Sequence, residues 1–321
     1  MKSTKSILKK IKGDASFRSF YRKTNNKKNS IIVYATKEKE KNLLIYDAIN
    51  SLLIENKILA PKLYKENYKK NFIEIKDFGD DTVLKLLKKN GNNKFNLYKK
   101  SIDLLSKIQK IKQKKIKNFN GKNYKVPTYG NDKLFKEAKL FSDWYAKIYI
   151  SKKKLPTLNV EINKQIKFLL SNLILKNDTF VHRDFHASNL MKYKKELATI
   201  DTQDALIGNR AYDLASLIDD VRFKSNKKLK DNIFNYYLKL NKNKINTDIL
   251  LNDFEILSVI RNMKIIGIFA RLAMRDKKKK YLKLIPYAWK LIELRIKSNQ
   301  IFDGLKRTLD LNFSKELRNI K

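Results

Sequence analysis

Residues 179–201 constrain this chain more than any other stretch. A short apolar stub (TFV) runs into a polar loop (HRDFHASN), and two short strand-like pieces follow at residues 190–193 and 197–200, the second ending at Asp201. The two histidines of the chain, His182 and His186, both fall within this one loop. An indifferent composition seldom arranges that. A fold for this chain must hold a loop and a hairpin whose ends return to the same side, inside a sequence that is otherwise mostly helical in period.

The loop VHRDFHASNL (residues 181–190) contains His-x-Asp-x-x-x-x-Asn, as His182, Asp184 and Asn189. Phosphoryl transfer requires this set of groups. One carboxylate, Asp184, orients and deprotonates an acceptor hydroxyl, while the Asn189 carboxamide and a second carboxylate, Asp201, hold Mg²⁺ against nucleotide phosphates. The spacing lets a tight loop turn base and metal ligand toward one point, and the hairpin brings Asp201 back to them. The plain structural alternative is a capping Asp and Asn beside a core His, and the clustering of both histidines argues against it.

Composition removes other chemistries. With no cysteine, a disulfide scaffold, a Cys-ligated zinc site and a thiol nucleophile are excluded, and two histidines exclude a multi-His metal centre. A hydrophobic content of 42% excludes wholesale disorder, and 321 residues suit two domains or one bilobed unit. No apolar run approaches the roughly 18 residues that span a bilayer. The start, MKSTKSILKKIKGDAS, has no apolar core and no small-residue cleavage site, so a cytoplasmic protein is expected.

Lys+Arg number 73 and Asp+Glu 32, a formal net charge of +41. Such a balance ordinarily points to nucleic acid or an anionic membrane. Here the basic runs are scattered, from Lys9–Lys10 to residues 277–280, and interleaved with Asn and Ile. With only 8 Gly and 4 Pro, this is what an AT-biased genome would write. The charge therefore reads as a solvated surface, with no membrane and no specific nucleic-acid partner expected.

Along the chain, residues 15–23 alternate aromatic and polar, NNKKN is a turn, and residues 30–36 (SIIVYAT) form a second strand. A helix is expected over residues 39–56 and a third strand over residues 72–78. Residues 1–80 thus form a small β-rich N-lobe, and residues 81–321 a larger, mainly helical C-lobe carrying the catalytic loop 181–204. Helices are expected at 84–89, 95–111, 133–150, 161–176, 211–221, 229–240, 248–275, 281–298 and near 301–317. In the 248–275 helix, Ile256, Val259, Met263, Ile266, Ala270 and Ala273 mark the core face, with Lys264, Arg271 and Arg275 on another.

VHRDFHASNL followed by TIDTQDALIGNRAYDLASLIDD resembles the aminoglycoside phosphotransferase/choline kinase family, a branch of the protein-kinase-like fold. GDASFRSFYR (residues 13–22), IEIKDFG (residues 73–79) and MKIIGIFARLAMRD (residues 263–276) with YLKLIP look like the bacterial anomeric kinases of N-acetylmuramate and N-acetylglucosamine in cell-wall recycling. The resemblance runs from about residue 11 to about residue 297. It implies an α+β, bilobed protein-kinase-like fold and an ATP- and Mg²⁺-dependent transferase. The acceptor implied is a small molecule, with an amino sugar favoured. A choline-kinase-like or other small-molecule kinase stays open, as does a kinase-fold binder of nucleic acid or protein, and the oligomeric state is left open.

By this resemblance Asp184 is the catalytic base, Asn189 and Asp201 are the metal ligands, and His182 anchors the loop. Asp213 would accept backbone hydrogen bonds from the catalytic loop. Gly13, Asp14 and Ser16 lie where this fold drapes a loop over phosphates. The DFGD segment at residues 77–80 precedes the catalytic loop, so Asp77 belongs to an interlobe hinge beside adenine. Kinases place a Lys on the strand that here reads SIIVYATK, but the aligned position falls near Tyr34, and Lys37 comes three residues late. Arg18 or Arg22 would supply that charge. His186, Gln203, Asp204 and Arg271 are candidates for the acceptor, each with an equally ordinary structural reading as packing, cap or surface group.

Overall fold

The computed structural model describes residues 7–11, 18–25, 29–35, 42–89, 93–242, 245–297 and 299–319. From the N-terminus the elements are β1 (Ile7–Ile11), β2 (Ser19–Thr24), β3 (Ser30–Tyr34), α1 (Asn42–Glu55), β4 (Leu63–Asn67) and β5 (Phe72–Lys76). Then come α2 (Val83–Lys89), α3 (Lys94–Ile108), β6 (Lys115–Lys117), β7 (Asn123–Lys125) and α4 (Asn131–Ala138). A π-helical turn (Phe141–Ala146), α5 (Lys147–Tyr149), α6 (Leu155–Ser171), β8 (Asn177–Val181), β9 (Leu190–Tyr193), β10 (Glu196–Thr199) and β11 (Leu206–Asn209) follow. The chain closes with α7 (Ala211–Ile218), α8 (Lys227–Leu240), α9 (Thr247–Met274), α10 (Ile285–Ile296), α11 (Asp303–Asn312) and α12 (Lys315–Asn319).

Packing divides the chain into two compact units: Met1–Pro127 with Ala187–Leu206, and Thr128–His186 with Ile207–Lys321. This is a different cut from a lobe boundary at residue 80. The β9–β10 hairpin explains it. Its Met191 bridges Thr82, and Met191 and Ala198 share a small apolar cluster with Phe78.

The first unit is built on a five-stranded antiparallel sheet in the order β1-β2-β3-β5-β4. Strand alternation turns Val33, Ile73 and Ile75 onto α1, where they meet Leu43 and Tyr46. Two edge strands were not expected from sequence. The first, β1 (ILKKI), exposes its side chains and carries lysines, which blunt a free sheet edge. The other, β4 (LYKEN), lacks an alternating apolar pattern and exists because its ladder closes against β5.

The second unit is centred on α9, which is buried around nearly its whole circumference, unlike the two-faced helix expected. All six core residues expected on this helix are buried, and so is Lys264. Gly267 lies where α9 meets the chain ahead of the π-helical turn: a Cβ there would stand 2.2 Å from the backbone carbon of Leu140. Only glycine lets the two backbones approach that closely. The single helix expected over residues 133–150 is divided at that crossing into α4, the π-helical turn and α5. Charged groups inside this unit are compensated. Asp219, fully buried, accepts from Lys230 Nζ at 2.8 Å, Arg295 Nε at 2.9 Å and Ser258 Oγ at 2.6 Å.

Candidate active site

The β9–β10 hairpin brings Asn189 and Asp201 together. Its antiparallel register pairs Leu190 with Thr199, and the Ile200 N–H then donates to the Asn189 carbonyl at 3.0 Å. Asn189 and Asp201 therefore leave the same end of one hairpin, within the first unit. Asp201 sits at φ +60°, a left-handed conformation that Asp tolerates better than most residues. Its side chain is 43% exposed, so the carboxylate is accessible to a ligand. A carboxylate and a carboxamide on a rigid hairpin suit Mg²⁺, which takes one or two protein carboxylates and completes its shell from phosphates and water.

Arg18 stands beside this pair. Its Nη2 donates to Asp201 Oδ1 at 3.1 Å, and its guanidinium lies over the rings of Tyr46 (5.5 Å) and Phe20 (5.8 Å). Arg22, the other candidate for the missing cation, faces elsewhere. It donates to Asp77 Oδ2 at 2.6 Å, to both Asp80 oxygens at 2.9 Å and to the Gly79 carbonyl at 3.1 Å. The Asp77 carboxylate thus clamps β2 to the segment after β5, and it also accepts from the Gly79 N–H at 2.8 Å. Gln203 bridges two acids, donating to Asp201 Oδ1 at 3.2 Å and Asp204 Oδ2 at 2.8 Å. Asp204 itself is exposed. Gly13, Asp14, Ser16 and Lys37 lie outside the described residues.

Asp184 belongs to the second unit, on the loop that leaves β8. The backbone of this loop is held by Asp213 in the first turn of α7: its Oδ2 accepts from the His182 N–H at 2.6 Å and its Oδ1 from the Arg183 N–H at 2.9 Å. These two bonds support Arg183 at φ +77°, a backbone state uncommon outside glycine. The Arg183 side chain pairs with Glu137 of α4 and lies 5.7 Å from the centre of the Tyr129 ring. Glu137 also takes Lys264 Nζ at 2.7 Å, and Lys264 reaches the Tyr212 hydroxyl at 3.2 Å. His182 is fully buried, its ring edge-to-face with Phe185 at 5.9 Å.

Electrostatics follow from this packing. Burial pushes the Asp184 carboxyl up, but Lys264, Arg183 and Arg261 outweigh it and hold the group well below the usual carboxylate range. His186 is pushed down to about 3 by burial, with Arg222 beside it. It is neutral at ordinary pH. Burial raises Asp213 to about 7 against the two backbone N–H bonds that favour its charged form. The result is a half-buried carboxylate kept deprotonated by fixed cations.

Of the acceptor candidates, His186 lies among Asp184, Asp220, Arg222 and Arg261. Arg271 stands apart from that group, beside Arg275 and Asp276 near the end of α9, about 10 Å along the axis from Lys264. Sequence reasoning missed Glu137, Arg261 and the role of Lys264. The available signal was two cations, at Arg261 and Lys264, interrupting the apolar run of α9. Glu137 gave none, lying between lysines on a short polar helix.

Comparison with known proteins places the chain among phosphotransferases. An N-acetylmuramate/N-acetylglucosamine kinase from Pseudomonas putida is 25% identical over 279 residues, covering 85% of this chain and 78% of the relative. An enzyme of the same name from Neisseria meningitidis is 26% identical over 280 residues, covering 85% and 80%. Among solved structures, choline kinase from Cryptosporidium parvum superposes with a TM-score of 0.61 at 14% identity over 96% of this chain and 92% of its own. An ADP-bound aminoglycoside phosphotransferase gives 0.58 at 15% identity over 89% and 92%. These structures share the protein-kinase-like fold expected from the catalytic loop. No helix among the described residues is long and apolar enough to cross a membrane. Residues 7–246 match the model of the phosphotransferase enzyme family, and the chain belongs to that family as a small-molecule phosphotransferase.

Proposed function

We propose that the protein transfers the γ-phosphoryl group of ATP to the anomeric hydroxyl of an N-acetylated amino sugar, N-acetylmuramate or N-acetylglucosamine. The observation that carries this reading is the loop that bears Asp184, its backbone pinned by two hydrogen bonds to Asp213 and its Arg183 tied with Lys264 to Glu137. The Asp184 carboxylate accepts a hydrogen bond from the acceptor hydroxyl and fixes its oxygen for attack. The new bond joins that oxygen to the γ-phosphorus, the bond from γ-phosphorus to its bridging oxygen breaks, and the hydroxyl proton passes to Asp184. The two relatives named as amino-sugar kinases support this choice of acceptor.

Asn189 and Asp201 would hold Mg²⁺, which neutralises charge on the phosphates when bound. Arg18 supplies the cation that the strand SIIVYATK lacks, with Asp201 as its partner until phosphate arrives. In this reading residues 1–80 cover the nucleotide, residues 81–321 carry the acceptor, and Gly13, Asp14, Ser16, Lys37 and the Asp77 segment belong to the nucleotide side. His182 and Asp213 shape the base loop, and His186, Gln203, Asp204 and Arg271 are the candidates for acceptor contact.

The test is ATP consumption by purified protein against N-acetylmuramate, N-acetylglucosamine, choline and aminoglycosides. Turnover on the two amino sugars, with phosphate on the anomeric oxygen, is expected. Turnover on choline alone would move the reading to that branch. Absent all turnover, selective sub-micromolar RNA binding at physiological salt would replace it with a binding role, being tighter than the ~10⁻⁴–10⁻⁶ M of non-specific contact.

A further inference from the structure

Kinases of this fold use a strand Lys paired to a helix Glu to seat the nucleotide machinery. In this chain the interior of β3 presents Val33 to the α1 core instead. The acids of α1 are Asp47 and Glu55. Asp47 accepts from the Phe119 backbone N–H, and Glu55 is the last residue of the helix.

A different connection takes that place. Tyr46 and Asn50 are four residues apart on α1 and so share one face. Tyr46 lies under the Arg18 guanidinium, which donates to Asp201. One turn on, Asn50 Oδ1 accepts from the Thr202 hydroxyl at 2.7 Å. Asn50 is 2% exposed and Thr202 0%, so this bond is shielded from water. Helix α1 therefore grips two successive residues of the turn, Asp201 through Arg18 and Thr202 directly. Asp201 needs such a grip, because a non-glycine residue in the left-handed region costs free energy and persists only where its surroundings over-determine it.

We propose that the Asn50–Thr202 hydrogen bond, with Tyr46 backing Arg18, is the positioning device that holds Asp201 in its left-handed state and presents its carboxylate to the metal–nucleotide complex. Asn50, Thr202 and Tyr46 are positioning residues. The inference rests on the reading of Asp201 as a metal ligand.

Thr202→Val keeps shape and removes the hydroxyl, whereas Thr202→Ser keeps it. The measurement is ADP binding by calorimetry, with and without Mg²⁺, alongside kcat and both KM values. Thr202→Val should weaken Mg·ADP about tenfold, as expected when a buried acceptor loses its donor. It should leave ADP without Mg²⁺ and the KM of the acceptor unchanged, and Thr202→Ser should match wild type. Asn50→Ala, which removes the acceptor instead, should reproduce the tenfold loss. Wild-type Mg·ADP affinity in either Thr202→Val or Asn50→Ala overturns the proposal, and so does an equal loss in Thr202→Ser. Asp201→Ala separates the two claims: if it still binds Mg·ADP as wild type does, the metal reading of Asp201 itself fails.

Discussion

Asp184 and Asp201 are carboxylates seventeen residues apart, and they stand among different sets of charges. Around Asp184, which is half-buried, the helical unit arranges Lys264, Arg183 and Arg261, with Glu137 tying the first two. Asp201 leaves a hairpin of the sheet-containing unit with its side chain 43% exposed and Arg18 in contact. The first arrangement is fixed before any substrate arrives, which is what electrostatic preorganisation requires. The second can exchange partners. Arg18 Nη2 donates to Asp201 Oδ1, and a pair open to solvent on its carboxylate side is worth little against a divalent ion. In the proposed roles, Asp184 would gain from rigidity in handling a proton, while Asp201 would have to be open to a metal and phosphates.

The largest expected effects separate the two acids by readout. Asp184→Asn should lower kcat by ~10²–10⁴ and leave the Mg·ADP thermal shift intact. Asp201→Ala should abolish the Mg²⁺-dependent part of that shift. If the two variants show the same pattern, the division of labour between them is wrong.

Lys264→Met sharpens the comparison from the side of Asp184. Removing the foremost cation destabilises the ionised carboxylate, so its pKa rises. The acid limb of the kcat–pH profile should move up by about one unit or more. An unmoved limb would mean that Lys264 serves only to hold Glu137.

The smallest effect concerns stability in the sheet-containing unit. Burial raises Asp47 to about 6, from an ordinary carboxylate value. The unfolded chain ionises this acid near pH 4, and the folded chain only near pH 6. Between those values the native state binds more protons, so the Asp47 contribution to stability is complete below pH 4 and is lost as pH rises through 6. Asp47→Asn keeps an oxygen for the Phe119 N–H and removes the charge. It should raise stability by about 1 kcal/mol at pH 7.5 and by nothing at pH 4, read by thermal melts at both. A gain of equal size at both pH values would show that charge is not the cause.

Much of the fold was legible. Val33, Ile73 and Ile75 follow a period of two, and the α1 and α9 cores a helical period, so β3, β5, α1 and α9 could be placed from sequence. The register of β9 on β10 was implicit in the short pieces around the KK turn. The edge strands β1 and β4 were not legible, because ladder hydrogen bonds rather than side-chain burial make them strands. The division of the 133–150 helix was hidden as well, since it depends on Gly267, more than a hundred residues later.

By itself the sequence supplied the candidate set: a loop with His182, Asp184 and Asn189 and a hairpin that returns Asp201, with Asp213 added by the family resemblance. The loop and the hairpin are local, set by spacing within a turn or a strand pair. Only the tertiary structure decided which charges serve them. Arg18 finds Asp201 across 183 residues. Lys264 of α9 and Arg183 of the base loop meet on Glu137 of α4. A lysine- and arginine-rich chain offers many cations for each acid, and local pattern cannot rank them. Packing ranks them, because a charge removed from water is tolerated only where the fold places its partner within hydrogen-bond reach.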